Sequence, residues 1–280
     1  MSVGAIILIS ALLSTIGTYL DKKIIDKGIT KNNYFYYMCL TMIPFSIVSI
    51  IIEVMTNNFK FSFNIITMIL LIFAMILRYI KQKSFVGSYR ELEPYEYETY
   101  MSVILIICFV IDLIIGVQHF TIFKLISIVS IVLGIFLIYN MKINTKGIKK
   151  DLIIKIVSDV ILGYIVFNIL KDLSNGIYIL LVNLILTIIF TPIHKPYKKE
   201  NNQSNLLGLI MLQQTFGFVY TYINNYLSSK SVTLSSFVSP ISLVFITIVA
   251  FFINKNKKPT VKNIIGIILA IIGIVLLNIF

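Results

Sequence analysis

The densest set of ionisable side chains in the sequence is Arg90-Glu91-Leu92-Glu93-Pro94-Tyr95-Glu96-Tyr97-Glu98-Thr99-Tyr100. At 100° per helical residue, Glu93, Glu96, Tyr97 and Tyr100 share one face, and Glu91 and Glu98 share another. Carboxylates backed by aromatic rings suit an organic cation or amine through ion pairing and cation–π contact. A carboxylate withdrawn from water in such a place could also carry a proton. The same segment fits a plainer role, because Pro suits the first helical position and carboxylates favour a helix N-terminus. The stretch is long for a cap alone, so at least one of Glu93, Glu96 or Glu98 is expected to face a substrate.

Asp159 is the second candidate, about nine residues into an apolar run, with Ser158 before it and Tyr164 and Asn168 on later turns. An Asp that far inside a helix is no cap. It lines a cavity or bonds a neighbouring helix. Asp112 stands near the end of its run and reads as interfacial. The run over 205–227 is polar beyond packing needs, with Gln213, Gln214, Thr215, Tyr220, Tyr222, Asn224 and Asn225, and Gln214, Phe218 and Tyr222 fall nearly on one stripe. Interhelical hydrogen bonding is the alternative there. The expected substrate-binding set is Glu93, Glu96, Tyr97, Tyr100, Asp159, Tyr164, Gln214 and Tyr222. His119 and His194 lie at the ends of runs, far apart, and nucleophile elbows, phosphate-cradling glycine loops and zinc motifs are lacking. No enzyme, metal or cofactor is expected.

The elements that must hold these groups follow from composition. Of 280 residues, 58% are hydrophobic and 13% charged, and mean hydropathy is +0.94, which excludes a water-soluble domain. A helix needs about 20 apolar residues to cross a bilayer core of roughly 30 Å. Ten runs qualify: Val3 to Leu20, Tyr34 to Glu53, Asn64 to Ile80, Pro94 to Gly116, Thr121 to Asn140, Asp151 to Leu170, Gly176 to His194, Asn205 to Leu227, Val232 to Ile253 and Thr260 to Ile279. They are continuously apolar rather than alternating, which favours helices over an outer-membrane barrel. The first run ends in Tyr19-Leu20-Asp21-Lys22-Lys23 with no basic stretch before it, so it reads as a retained helix rather than a signal peptide. Cys39 and Cys108 fall inside runs without metal-type spacing and read as packing residues.

The net charge of +12 is an orientation signal. Alternating the ten runs across a membrane puts 20 of the 24 Lys and Arg on one side and leaves Lys60, Lys124, Lys171 and Lys230 on the other. Short basic loops stay in the cytoplasm, so both termini are expected outside a plasma membrane crossed many times. The lysines are spread over five loops without an interleaved binding motif, which argues against nucleic acid as a partner.

At an offset of 139 residues, Thr121 to Leu137 overlays Thr260 to Leu276, matching Thr121 with Thr260 and Gly134 with Gly273. Five helices per half is an odd number, so the second copy enters the membrane in the opposite sense, as inverted repeats do. The expected fold is all-α, ten transmembrane helices as two inverted five-helix repeats over 1–140 and 141–280. With Ser235-Ser236-Phe237-Val238-Ser239-Pro240-Ile241-Ser242-Leu243 before the last helix, the chain resembles the EamA-like permeases of the drug/metabolite transporter superfamily. It departs from their pattern in having no Trp, and in carrying Gly116-Val117-Gln118 and Ile253-Asn254-Lys255 where those permeases have Gly-Glu. The resemblance implies a secondary transporter of a small organic metabolite working by alternating access, with or without proton coupling. It implies a small molecule and the lipid bilayer as partners, in a monomer or homodimer, and it implies cytoplasmic termini, against the charge-based reading. A lipid-linked sugar flippase or a non-transporting scaffold of the same fold are the alternatives. Ser127, Ser130, Gly134, Gly266, Ala270 and Gly273 read as packing positions.

Overall fold

Ser2, Thr30 and Asn64 each place a short polar side chain ahead of an apolar run and cap the helix that follows. They accept from the backbone N–H of Ala5 at 3.4 Å, Asn33 at 3.2 Å and Thr67 at 2.8 Å. These bonds satisfy donors that a helix start leaves unpaired. The computed structural model describes residues 2–62, 64–139, 150–194, 204–253 and 260–279. Twelve helices lie among the described residues: α1 (Val3–Asp26), α2 (Lys31–Met55), α3 (Ile65–Tyr89), α4 (Pro94–Met101), α5 (Val103–Ile114), α6 (Ile122–Tyr139), α7 (Lys150–Asp172), α8 (Asn175–His194), α9 (Ser204–Lys230), α10 (Val232–Ser236), α11 (Val238–Ile253) and α12 (Val261–Ile279). The extended structure among them is one isolated bridge, Phe61 with Leu173.

Eight segments are long and apolar enough to cross a membrane, with α4 and α5 together as Pro94–Ile114 and α10 with α11 as Val232–Ala250. Ile122–Ile138 and Val261–Gly273 are shorter apolar helices. Two of the expected runs are thus broken helices. In the second, Pro240 removes an N–H that would bond Ser236, and the interruption falls at Phe237. In the first, the break is at Ser102, whose hydroxyl donates back to the Glu98 carbonyl at 2.8 Å. Large apolar side chains face outward: Ile66 is 70% exposed and Ile114 78%, a surface suited to lipid rather than water.

Helices pair across the chain. α6 packs on α12, α3 on α7, α2 on α8 and α1 on α9, with α4 against α11 and α5 against α10. The α6–α12 contact is antiparallel and backbone-close: a Cβ on Gly134 would lie 2.6 Å from the Gly266 carbonyl, and Ser127 donates to the Gly273 carbonyl at 2.5 Å. Small residues permit that approach.

The two ends of the bundle are closed differently. At the basic end, Lys31 pairs with Asp151 at 2.8 Å, Lys22 with Glu93 at 3.8 Å, and Arg90 donates to the Ile29 carbonyl at 2.8 Å. At the opposite end, backbone bonds join the α2–α3 and α7–α8 connections: Ser62 N–H to Asp172 at 2.9 Å and Ser174 N–H to Lys60 at 2.8 Å. Glu53 caps α8 there, accepting from the Gly176 N–H at 2.9 Å.

Asp112 stands two residues from the end of α5, close to the end of the bundle as expected. It is fully buried and accepts from the Thr233 N–H and hydroxyl at 2.9 and 2.7 Å, from Ser231 at 2.6 Å and from Tyr164 at 2.8 Å. Its carboxylate joins α5 to the start of α10, and the four donors compensate its burial. Cys39 and Cys108 are free and buried, in keeping with packing roles.

Candidate functional site

Between the helix pairs lies a cavity of about 270 Å³, lined from every helix except α6 and α12. Six formally charged side chains reach it: Asp21 on α1, Arg78 and Lys81 on α3, Glu98 on α4, and Lys155 and Asp159 on α7. Their formal charges cancel, but they are not evenly placed.

One wall is basic. Lys155 and Asp159 are one turn apart on α7 and form an ion pair, and Lys81 reaches the other oxygen of Asp159 at 2.5 Å. Arg78 sits one turn from Lys81 on the same face of α3 and is 8% exposed. The α3–α7 wall therefore carries three cations and one anion. Such charges are expensive at membrane depth and belong to functional sites by default.

The facing wall is acidic. Asp21 accepts a hydrogen bond from the Tyr34 hydroxyl, with Gln213 also in reach. Glu98 accepts from Thr18 at 3.4 Å, and Ser239 is in reach. Its second oxygen, Oε2, is buried and has no partner among the described residues. On α9, Gln214 donates to Gln213, and its own carbonyl oxygen is likewise unpartnered. The rings of Phe85, Tyr89 and Tyr97 pack with centroids 4.3 to 5.6 Å apart and line the cavity.

Of the expected substrate-binding set, Tyr97, Asp159 and Gln214 line this cavity, and so do Glu98, Gln213, Tyr220, Asn224 and Asn225 among the other polar residues singled out in the sequence. Glu93 and Glu96 do not. They form a capping box at the start of α4, where Glu96 accepts from the Glu93 N–H at 2.9 Å. Glu98, two residues further into α4, is the carboxylate of that segment that turns inward. Tyr100 packs beside the apolar cluster of Tyr34, Phe85 and Leu152. Tyr164 is held by Asp112, and Tyr222 donates to Glu53 at 2.8 Å, so both serve the opposite end of the bundle. Sequence reasoning groups Arg78, Lys81 and Lys155 with the loop charges, and Asp21 with the end of the first run, and so misses all four. A lysine's long stem hides its depth in a sequence, but Arg78 and Lys81 on one helical face, like Lys155 and Asp159 at i, i+4, are visible spacings. Among the described residues, no group of His, Cys, Asp and Glu could hold a metal ion.

Residues 160–279 match the model of the EamA-like transporter family, part of the drug/metabolite transporter superfamily. Over that stretch the chain is similar to EamA-like transporters. The match takes in most of α7 and everything to α12. A solved crystal structure of a protein is similar to the whole chain, with a TM-score of 0.62 at 10% identity over 99% of this chain and 96% of the other, a likeness of fold alone. No curated protein matches. All six charged residues of the cavity precede the EamA-like stretch, so their roles rest on geometry.

Proposed function

We propose that the protein is a secondary transporter of the plasma membrane that carries a small organic metabolite through the central cavity by alternating access. The observation that carries this reading is the cavity itself: six formally charged side chains on membrane-spanning helices surround a space of about 270 Å³. A scaffold would fill that space with apolar side chains, whereas this one brings charged side chains to it.

The mechanism calls for two halves, 1–140 and 141–280, each contributing five crossings, with α6 and α12 as the fifth of each. Helix pairing supports this. Exchanging the halves turns α3 on α7 into α9 on α1, and returns α2 on α8 and α6 on α12 to themselves. At the offset of 139, the contact of Gly134 with Gly266 becomes that of Gly273 with Ser127, and both are present. Halves related in this way can exchange conformations by rocking about the cavity. Both termini would face outward: setting aside Arg78, Lys81 and Lys155, seventeen of the remaining twenty-one cations still fall on the basic side. A reporter active only in the cytoplasm, fused after Phe280, is expected to be silent, and a signal from it would reverse the orientation.

Within the cavity, Tyr97, Asp159 and Gln214 form part of the substrate surface, and Glu98 is the group placed to exchange a proton, since its Oε2 faces no donor. The purified chain in liposomes, offered amines, amino acids and sugars with and without a pH gradient, is expected to move at least one class faster than protein-free vesicles. Glu98→Gln should cut gradient-driven uptake by about tenfold or more while sparing exchange at equal pH. If no compound crosses faster than in empty vesicles, the transport reading fails. If Glu98→Gln leaves the gradient dependence intact, only the coupling role is lost.

A further inference from the structure

Arg78 is more than nine-tenths buried, halfway along a membrane-spanning helix, and lines the cavity. It makes no ion pair or hydrogen bond with any described residue. Its charge acts on the thiol of Cys39 and the phenol of Tyr178, neither of them a carboxylate. The acids of the cavity are engaged elsewhere. Asp159 is taken by Lys81 and Lys155, Asp21 by Tyr34, and Glu98 lies with Thr18 and Ser239 on the facing wall.

A guanidinium withdrawn from water without a counter-ion costs several kcal/mol in stability, as for any unpaired buried charge. With Lys81 and Lys155 alongside, the wall carries three cations against the one carboxylate of Asp159, and although Glu98 across the cavity acts on Lys155, no carboxylate pairs with Arg78. The planar, five-donor fork of Arg matches two oxygens of one anionic group at once. We propose that Arg78 anchors an anionic group, carboxylate or phosphate, on the transported compound. The inference rests on the transport reading, and it adds that the substrate cannot be a simple amine: a cationic part would meet Glu98 while the anionic part meets Arg78.

The test uses the full chain in detergent or nanodiscs, with thermal unfolding and tyrosine fluorescence as readouts. Succinate and inorganic phosphate are the anionic probes, glycine betaine the bipolar probe, and tetramethylammonium the cationic one. At least one anionic or bipolar probe is expected to raise the melting temperature, and the succinate and phosphate arms separate the two chemistries. Arg78→Gln should weaken that binding by about tenfold or more, and Arg78→Lys by less. Without ligand, Arg78→Gln should melt no lower than the parent, because an uncompensated buried charge has been removed; a purely structural arginine would lower it. Equal binding by parent and Arg78→Gln, or binding of tetramethylammonium alone, overturns the anchor and leaves the transport reading in place. Binding of no probe overturns the anchor too, and the vesicle assay then decides the transport reading by itself.

Discussion

Asp159→Asn is expected to lower stability by about 3 to 5 kcal/mol and to abolish transport. Asp159 is the shared partner of Lys81 and Lys155, and Lys155 is 6% exposed. Removing one member of a buried ion pair leaves the other charges uncompensated, which costs far more than the intact pair contributes. The amide keeps the shape and some hydrogen-bonding capacity, so the loss is one of charge. A second variant separates this from general damage. Combining Asp159→Asn with Lys155→Met removes one of the stranded cations and should recover part of the lost stability, though not the flux. Chemical unfolding in micelles reads the first quantity and vesicle uptake the second. If the double variant is as unstable as the sum of its parts, the two residues are not coupled as the geometry requires.

The second large effect is expected at a position with no polar chemistry. Gly134→Leu places a side chain where even a Cβ would stand 2.6 Å from the Gly266 carbonyl and 2.7 Å from the Ala270 nitrogen. Both are backbone atoms and cannot turn aside, so α6 and α12 must separate. The cost should reach about 3 kcal/mol, at the upper end for overpacking. Gly208→Leu is the control, since nothing lies within 4 Å of the place a Cβ would take there, and it should be near neutral. Equal melting temperatures for the two variants would show that the close approach of α6 and α12 is unimportant to the fold.

Much of the helical framework is legible in the sequence. The apolar runs are continuous, and their ends carry Ser, Thr or Asn caps at Ser2, Thr30 and Asn64, so elements can be placed by length and punctuation alone. The breaks are harder. Pro240 announces one of them, but the interruption at Ser102 depends on a hydroxyl bonding back to Glu98, a choice that sequence does not dictate. The site is legible in part for the same physical reason throughout: a sequence gives the face of a helix but not its depth or its neighbour. Asp159 and Gln214 stand out because they interrupt apolar runs. Glu96 also stands out, yet the pair Glu93 and Glu96, on either side of Pro94, is the spacing of a capping box, and the backbone N–H of Glu93 takes up the carboxylate. Lys155 and Arg78 read as loop charges by their proximity to the ends of the expected runs, whereas α7 and α3 pack on each other with those turns inside. Asp112 lies near the end of its helix as its position in the run implies, but its burial is not legible, because the donors that make it tolerable come from Ser231, Thr233 and Tyr164 on other segments.

The bridge that fastens the end opposite the basic loops has a different bearing. It is made by the amides of Ser62 and Ser174 and the carbonyls of Asp172 and Lys60, with no side chain taking part. A fastening of that kind is indifferent to the identity of the residues that form it. The two backbone bonds themselves require only that proline stay away from the donor positions, although the Asp172 side chain also accepts from Asn64 and Thr67 and Leu173 is buried in the core. The ion pairs at the other end enjoy no such latitude, since a single change of charge at Lys31 or Asp151 removes one outright. Two lids on one vessel therefore differ in how far chance can alter them, the first secured by the common grammar of the peptide and the second by individual words.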